Sequence, residues 1–110
     1  MKALILSGLL IIFPTSSYAN NVELLHANEW SVPKKTTTLL AMPAIKNSMN
    51  KLKGDIHTRL KIKYPGGDEG TLWVNELRSW LVALGLSSKR IELEPGSAIS
   101  TTIELEVIPQ

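Results

Sequence analysis

RLKIKYPGGDEGTLWVNELRSWLVALGLSSKRIELEP, residues 59–95, decides the fold. It opens on strict alternation, with Leu60, Ile62 and Tyr64 on one face and Arg59, Lys61 and Lys63 on the other, the pattern of a half-buried strand. PGGDEG then interrupts it. A proline and two consecutive glycines admit backbone angles that other residues resist, so residues 65–70 are expected to form a loop. Leu77, Trp80, Leu81 and Leu84 recur at helical spacing in TLWVNELRSWLVALG, with Trp73 one turn earlier, and predict an amphipathic helix stopped by Gly85. Trp73 and Trp80 fall two turns apart on that stripe and are expected in the core. RIELEP resumes the alternation with Ile91 and Leu93 inward, completing a strand, helix and strand unit.

On the C-terminal side, PGSAIS reads as a turn and TIELEV as a closing strand with Ile103, Leu105 and Val107 inward. Upstream, Pro43 suits a first helical position, Ile45, Met49 and Leu52 recur at four and three, and Gly54 ends the pattern, so residues 43–53 are expected as a second amphipathic helix. Residues 20–41 are mixed, with VELLH and EWSV as short strands and PKKTTT as a loop. The outward side chains add a constraint. Arg59, Lys61 and Lys63 are basic, whereas Glu92, Glu94, Glu104 and Glu106 on the later strands are acidic, which predicts that the basic strand lies beside an acidic one. Helices with one apolar stripe and strands with one apolar face bury those surfaces in two layers. The expected fold class is therefore α+β, a two-layer α/β sandwich in the order βαβαββ with two helices on one face of a mixed sheet.

The N-terminus, MKALILSGLLIIFPTSSYAN, carries one positive charge at Lys2, an apolar run over residues 3–13 and a polar stretch ending in small residues. That is the layout of a cleavable secretory signal. Ser17 and Ala19 supply the small side chains a signal peptidase requires, so the cut is expected between Ala19 and Asn20. The apolar run is well short of the roughly 20 residues a helix needs to cross a bilayer, which disfavours an anchor. With no cysteine in the chain, neither a lipid-modified signal nor disulfide support is available, and stability must come from packing. The expected domains are residues 1–19 as signal, 20–41 as an N-terminal segment with a short strand and loop, and 42–110 as the α/β core. Without Lys2 the balance is eleven Lys and Arg against ten Asp and Glu, too even for a nucleic-acid-binding face.

At WLVALGLSSKRIELEPG the chain resembles the second half of the OmpA-like peptidoglycan-binding domains of the bacterial cell envelope. Those domains have the same element order, and the order of LKIKY, PGGDEG, LRSWLVALGL, KRIEL and IELEV extends the resemblance over roughly residues 42–107. The resemblance implies a grip on the diaminopimelate of the peptidoglycan peptide by a loop aspartate and an arginine early in the next helix. Asp68 matches the aspartate, but Trp73 stands where the arginine is expected, so half of that grip is missing and Arg78, farther along, is not a matched position.

Read on the residues alone, Asp68 and Glu69 are either a ligand-binding acidic pair or carboxylates placed favourably near the positive end of the following helix, and the absent arginine favours the second. The loop lacks the lysine and hydroxyl of a phosphate cradle. His57, two residues after Asp55, has too few companions for a zinc site and is expected as an exposed turn residue; His26 is the other histidine. No nucleophile elbow or triad pattern appears, so no catalytic residue, metal or cofactor is expected. Trp30 covers the core edge or forms an exposed contact surface, and Tyr64 beside the loop has the same two readings. The expected function is a non-catalytic periplasmic cell-envelope binding or scaffolding module with residual peptidoglycan contact at Asp68. The alternative is a protein-interaction subunit of an export, adhesion or surface-assembly system that does not touch the wall. Its partners are then peptidoglycan or an envelope protein, with no nucleic acid and at most peripheral membrane contact.

Overall fold

A computed structural model describes residues 22–110; Ala19, Asn20 and the signal reading lie outside the described residues. Strand β1 (Val22–His26) leads through two short helices, α1 (Ala27–Trp30) and α2 (Thr36–Ala41), into α3 (Pro43–Gly54). Strand β2 (Thr58–Tyr64), helix α4 (Gly67–Ala83), a 3-10 turn at Ser88–Arg90, β3 (Ile91–Pro95) and β4 (Thr102–Pro109) complete the order. The four strands form one mixed sheet in the order β1-β4-β2-β3, with β2 parallel to β3 and antiparallel to β4. The fold is α+β, as the alternation and helical stripes predict.

Packing follows the period-two pattern. Leu25, Leu60, Ile62, Ile103 and Leu105 are fully buried on one sheet face, against Ile45, Met49 and Leu52 of α3 and Val74, Leu77 and Leu81 of α4. The opposite face carries the charges. Lys61 lies in register between Glu92 and Glu106, and Lys63 between Glu94 and Glu104, so the basic strand is flanked by acidic strands on both sides. Arg59 Nε meets Glu92 Oε1 at 2.9 Å and Lys61 Nζ meets Glu94 Oε1 at 3.3 Å. These part-exposed pairs contribute about 0–1 kcal/mol each, so they select register more than they add stability.

Two local devices set the ends of the helices. The Leu86 N–H bonds the Leu81 carbonyl and the Gly85 N–H bonds the Val82 carbonyl, a Schellman closure that glycine permits at φ 109° and that tucks Leu86 into the core. Arg90 ties the far end of α3 to β2. Its Nε donates to the Thr58 carbonyl at 2.7 Å and its Nη2 to the carbonyls of Leu52 and Asp55 at 3.0 and 2.9 Å. The guanidinium thus satisfies a last-turn helix carbonyl at the negative end of α3.

Four expectations need correction. EWSV is not a strand: after His26 the chain turns into α1, where the Glu29 carboxylate accepts the His26 N–H at 3.0 Å and the Trp30 indole drops into the core, 8% exposed. PKKTTT is not wholly a loop, because Thr36 begins α2; threonine is a weak helix former, and burial of Leu39 overrides that preference. PGGDEG is a loop only to Gly66, since α4 starts at Gly67 and takes Asp68 and Glu69 into its first turn. Finally, the buried line of α4 is Gly70, Val74, Leu77 and Leu81, while Trp73, Trp80 and Leu84 flank it half-buried. The tryptophans therefore sit one helical position off the centre of the stripe and cover its margin.

Candidate binding site at the end of the sheet

Three chain segments converge beyond the carboxyl ends of β1 and β2. Hydrogen bonds fix their approach: the Ala27 N–H reaches the Thr101 carbonyl at 2.9 Å, and the N–H groups of Gly96 and Ser97 reach the Tyr64 carbonyl at 2.8 and 3.1 Å. Helix α4 is drawn in just as closely. A side-chain carbon on Gly70 would stand 1.7 Å from the Pro65 carbonyl oxygen, so only glycine lets the first turn of α4 lie against the end of β2.

Between these segments lies a recess of about 280 Å³ lined by Ala27, Pro65, Gly66, Glu69, Gly70, Trp73, Ser100 and Thr101. It shares Ala27 and Thr101 with a shallower opening bordered by His26, Asn28 and Glu29. Crevices outside the carboxyl ends of strands are the usual ligand position in open α/β sheets. The lining combines carboxylates at Glu29 and Glu69, hydroxyls at Ser100 and Thr101 and the ring of Trp73; no lysine or arginine is part of it. The Glu29 carboxylate accepts the His26 N–H, whereas Glu69 is exposed on the first turn of α4. Glu69 and Trp73 are four residues apart on one helix, the spacing that puts two side chains on the same face.

The residues singled out from sequence divide accordingly. Asp68 is exposed on the first turn of α4 and does not line the recess; its neighbour Glu69 does. Trp73, standing where the resemblance expects arginine, also lines it. Trp30 covers the core edge, its Nε1–H donating to Glu76 Oε1 at 2.9 Å and its ring lying 4.6 Å below Lys34 Nζ. Asp55 accepts the backbone N–H of His57 at 2.9 Å, an Asx turn that leaves the exposed imidazole no part in the contact. Tyr64 is half-buried and packs on the core. Among the described residues no three of His, Asp and Glu gather as metal ligands do.

Ser100, Thr101, Ala27 and Glu29 escaped the sequence reading. Nothing local marks them, because the β4 to β1 pairing brings them to the recess across more than 70 residues of chain. The close approach of Gly70 to Pro65 was not read from the sequence either, where PGGDEG reads only as a loop. Among the described residues no helix is long and apolar enough to cross a membrane. Neither a protein-family model, nor a curated protein, nor a solved structure matches the chain.

Proposed function

We propose that the chain is a non-catalytic module of the bacterial cell envelope, exported to the periplasm with its signal removed before Asn20, and that it contacts peptidoglycan through the recess at the end of the sheet. The observation that carries this reading is the pairing of an exposed carboxylate, Glu69, with the Trp73 ring in a recess that no lysine or arginine lines. A carboxylate beside an aromatic face suits an ammonium group, by charge and by attraction to the ring's electrons. Peptidoglycan peptides present such amines, and Ser100 and Thr101 add hydrogen-bonding hydroxyls. The βαβαββ order and the resemblance over residues 42–107 support the same reading. The ligand carboxylate, which a full grip would hold with arginine, finds no cation here, so the contact is weaker than a two-ended grip.

Co-sedimentation of the protein with purified peptidoglycan sacculi tests this. Retention is expected, with loss in Glu69→Gln and Trp73→Ala and little change in Asp68→Ala. Absence of retention removes the wall from the proposal, and retention untouched by both recess substitutions removes the recess as the contact. The alternative, an interaction subunit that never contacts the wall, is favoured by Leu72 and Ile99, which are 71% and 57% exposed. Crosslinking in the intact envelope then yields a discrete protein partner and no wall fragment.

A further inference from the structure

One flank of α4 repeats the pair that lines the recess. Glu69, Trp73, Glu76 and Trp80 follow one another at intervals of four, three and four residues, the spacing that stacks side chains along one face of a helix. Glu69 and Trp73 belong to the recess at the end of the sheet. Two turns farther along, Glu76 and Trp80 line a separate open groove of about 350 Å³ with Ser79 and Ala83. No lysine or arginine lines either depression, and among the described residues neither glutamate is in an ion pair. Arg78, the basic residue of α4, is two positions from both Glu76 and Trp80 and so lies on another face. The Glu76 carboxylate is held in place without being neutralised: its Oε1 accepts the Trp30 indole N–H at 2.9 Å, which leaves Oε2 for a ligand. The molecule also shows the contact that such a ring makes with an ammonium group. Lys34 Nζ lies 4.6 Å from the centre of the Trp30 ring, and Lys34 lines neither depression.

We propose that Glu76 and Trp80 form a second ammonium subsite, and that this flank of α4 binds a linear aliphatic polyamine whose nitrogens reach both pairs. Seven helical residues separate one pair from the next, about 10 Å along the axis. The ligand is therefore an extended chain with two ammonium groups about that far apart. Its charges meet the two carboxylates and the two ring faces, and the Ser79 hydroxyl accepts a further N–H. Both subsites are open to water, so each ammonium gains little alone, and joining two in one molecule of matching length supplies the selectivity. The inference rests on the ammonium chemistry assigned to Glu69 and Trp73, and not on the wall as the source of the amine.

Titration of the ¹⁵N-labelled protein with heptamethylenediamine, tetramethylenediamine and heptylamine at low salt tests this through the indole N–H signals of Trp73 and Trp80. Extended, the first amine spans about 10 Å between its nitrogens and the second about 6 Å. The long diamine is expected to shift both indoles with one shared midpoint, at least about fivefold below the midpoints of the short diamine and the monoamine. Glu76→Gln keeps an oxygen for the Trp30 N–H and loses the charge. That variant and Trp80→Ala each erase the advantage of length, while the Trp73 shift persists. A long diamine no tighter than the short one, a Trp80 indole that does not move, or an advantage that survives in Glu76→Gln overturns the second subsite. In those outcomes a Trp73 indole that still responds to heptylamine leaves the reading of the recess standing; if no amine moves either indole, both fail.

Discussion

Arg90→Ala removes the contact that ties the end of α3 to the start of β2. The guanidinium donates to the Thr58 carbonyl at 2.7 Å, to the Leu52 carbonyl at 3.0 Å, to the Asp55 carbonyl at 2.9 Å and to the Thr58 hydroxyl at 3.0 Å. Nη2 carries two hydrogens for three of these acceptors, so they are shared and not additive. Hydrogen bonds from a charged donor contribute about 1.5–3 kcal/mol each. Only the bonds to Leu52 and to Thr58 are partly shielded from water, and counting one full bond to each carbonyl gives a loss of about 3 kcal/mol. Water entering from the Asp55 side lowers the expected figure to about 2–3 kcal/mol. Urea unfolding followed by far-ultraviolet circular dichroism measures it, with a midpoint about 2 M lower and an unchanged slope. Arg90→Lys keeps the charge at the negative end of α3 but lacks the planar fork, and it is expected to recover less than half of the loss. A loss below about 0.5 kcal/mol in Arg90→Ala, or a lysine variant as stable as the parent, refutes the clamp.

Gly70→Ala is expected to destabilise by about 2 kcal/mol or more although alanine is the better helix former, because the added carbon meets the Pro65 carbonyl; a stabilised variant shows that α4 can retreat freely. Leu81→Ala empties a fully buried site and should cost about 2–5 kcal/mol, whereas Trp80→Ala, on the half-buried margin, should cost about 1–2, and equal costs contradict the assigned face of α4. The Ser48 hydroxyl is buried and has no hydrogen-bond partner among the described residues, so Ser48→Ala should stabilise by about 0.5–1 kcal/mol in the same assay. A destabilised alanine variant points instead to a partner for that hydroxyl.

Where burial is periodic, the sequence carries the fold. The alternation of RLKIKY and TIELEV gives both buried strand faces, and the opposite charges of Lys61 and Glu106 anticipate which strands are neighbours. The segment from Ala27 to Ala41 was not legible, because its two short helices are held by tertiary contacts that leave no local pattern: Ala27 to Thr101, Trp30 to Glu76, and Leu39 in the core. Propensity cannot foresee them, and threonines at the start of α2 argue against that helix. The tryptophans of α4 misled for a related reason. A large apolar side chain at helical spacing reads as the centre of the stripe, yet the centre is filled by the smaller Gly70, Val74, Leu77 and Leu81, which allow close approach to the sheet. For the site, the acidic start of α4 was visible but the choice between adjacent carboxylates was not. It depends on the direction in which α4 leaves β2, which the contact between Gly70 and Pro65 sets.

The recess itself is tested most directly by titrating the ¹⁵N-labelled protein with soluble peptide-stem fragments of peptidoglycan while following backbone amide and indole signals. Saturable shifts are expected at Glu69, Gly70, Thr101 and the Trp73 indole, reduced in Glu69→Gln. An unchanged spectrum at about 5 mM fragment, or shifts confined to residues remote from the end of the sheet, contradicts it.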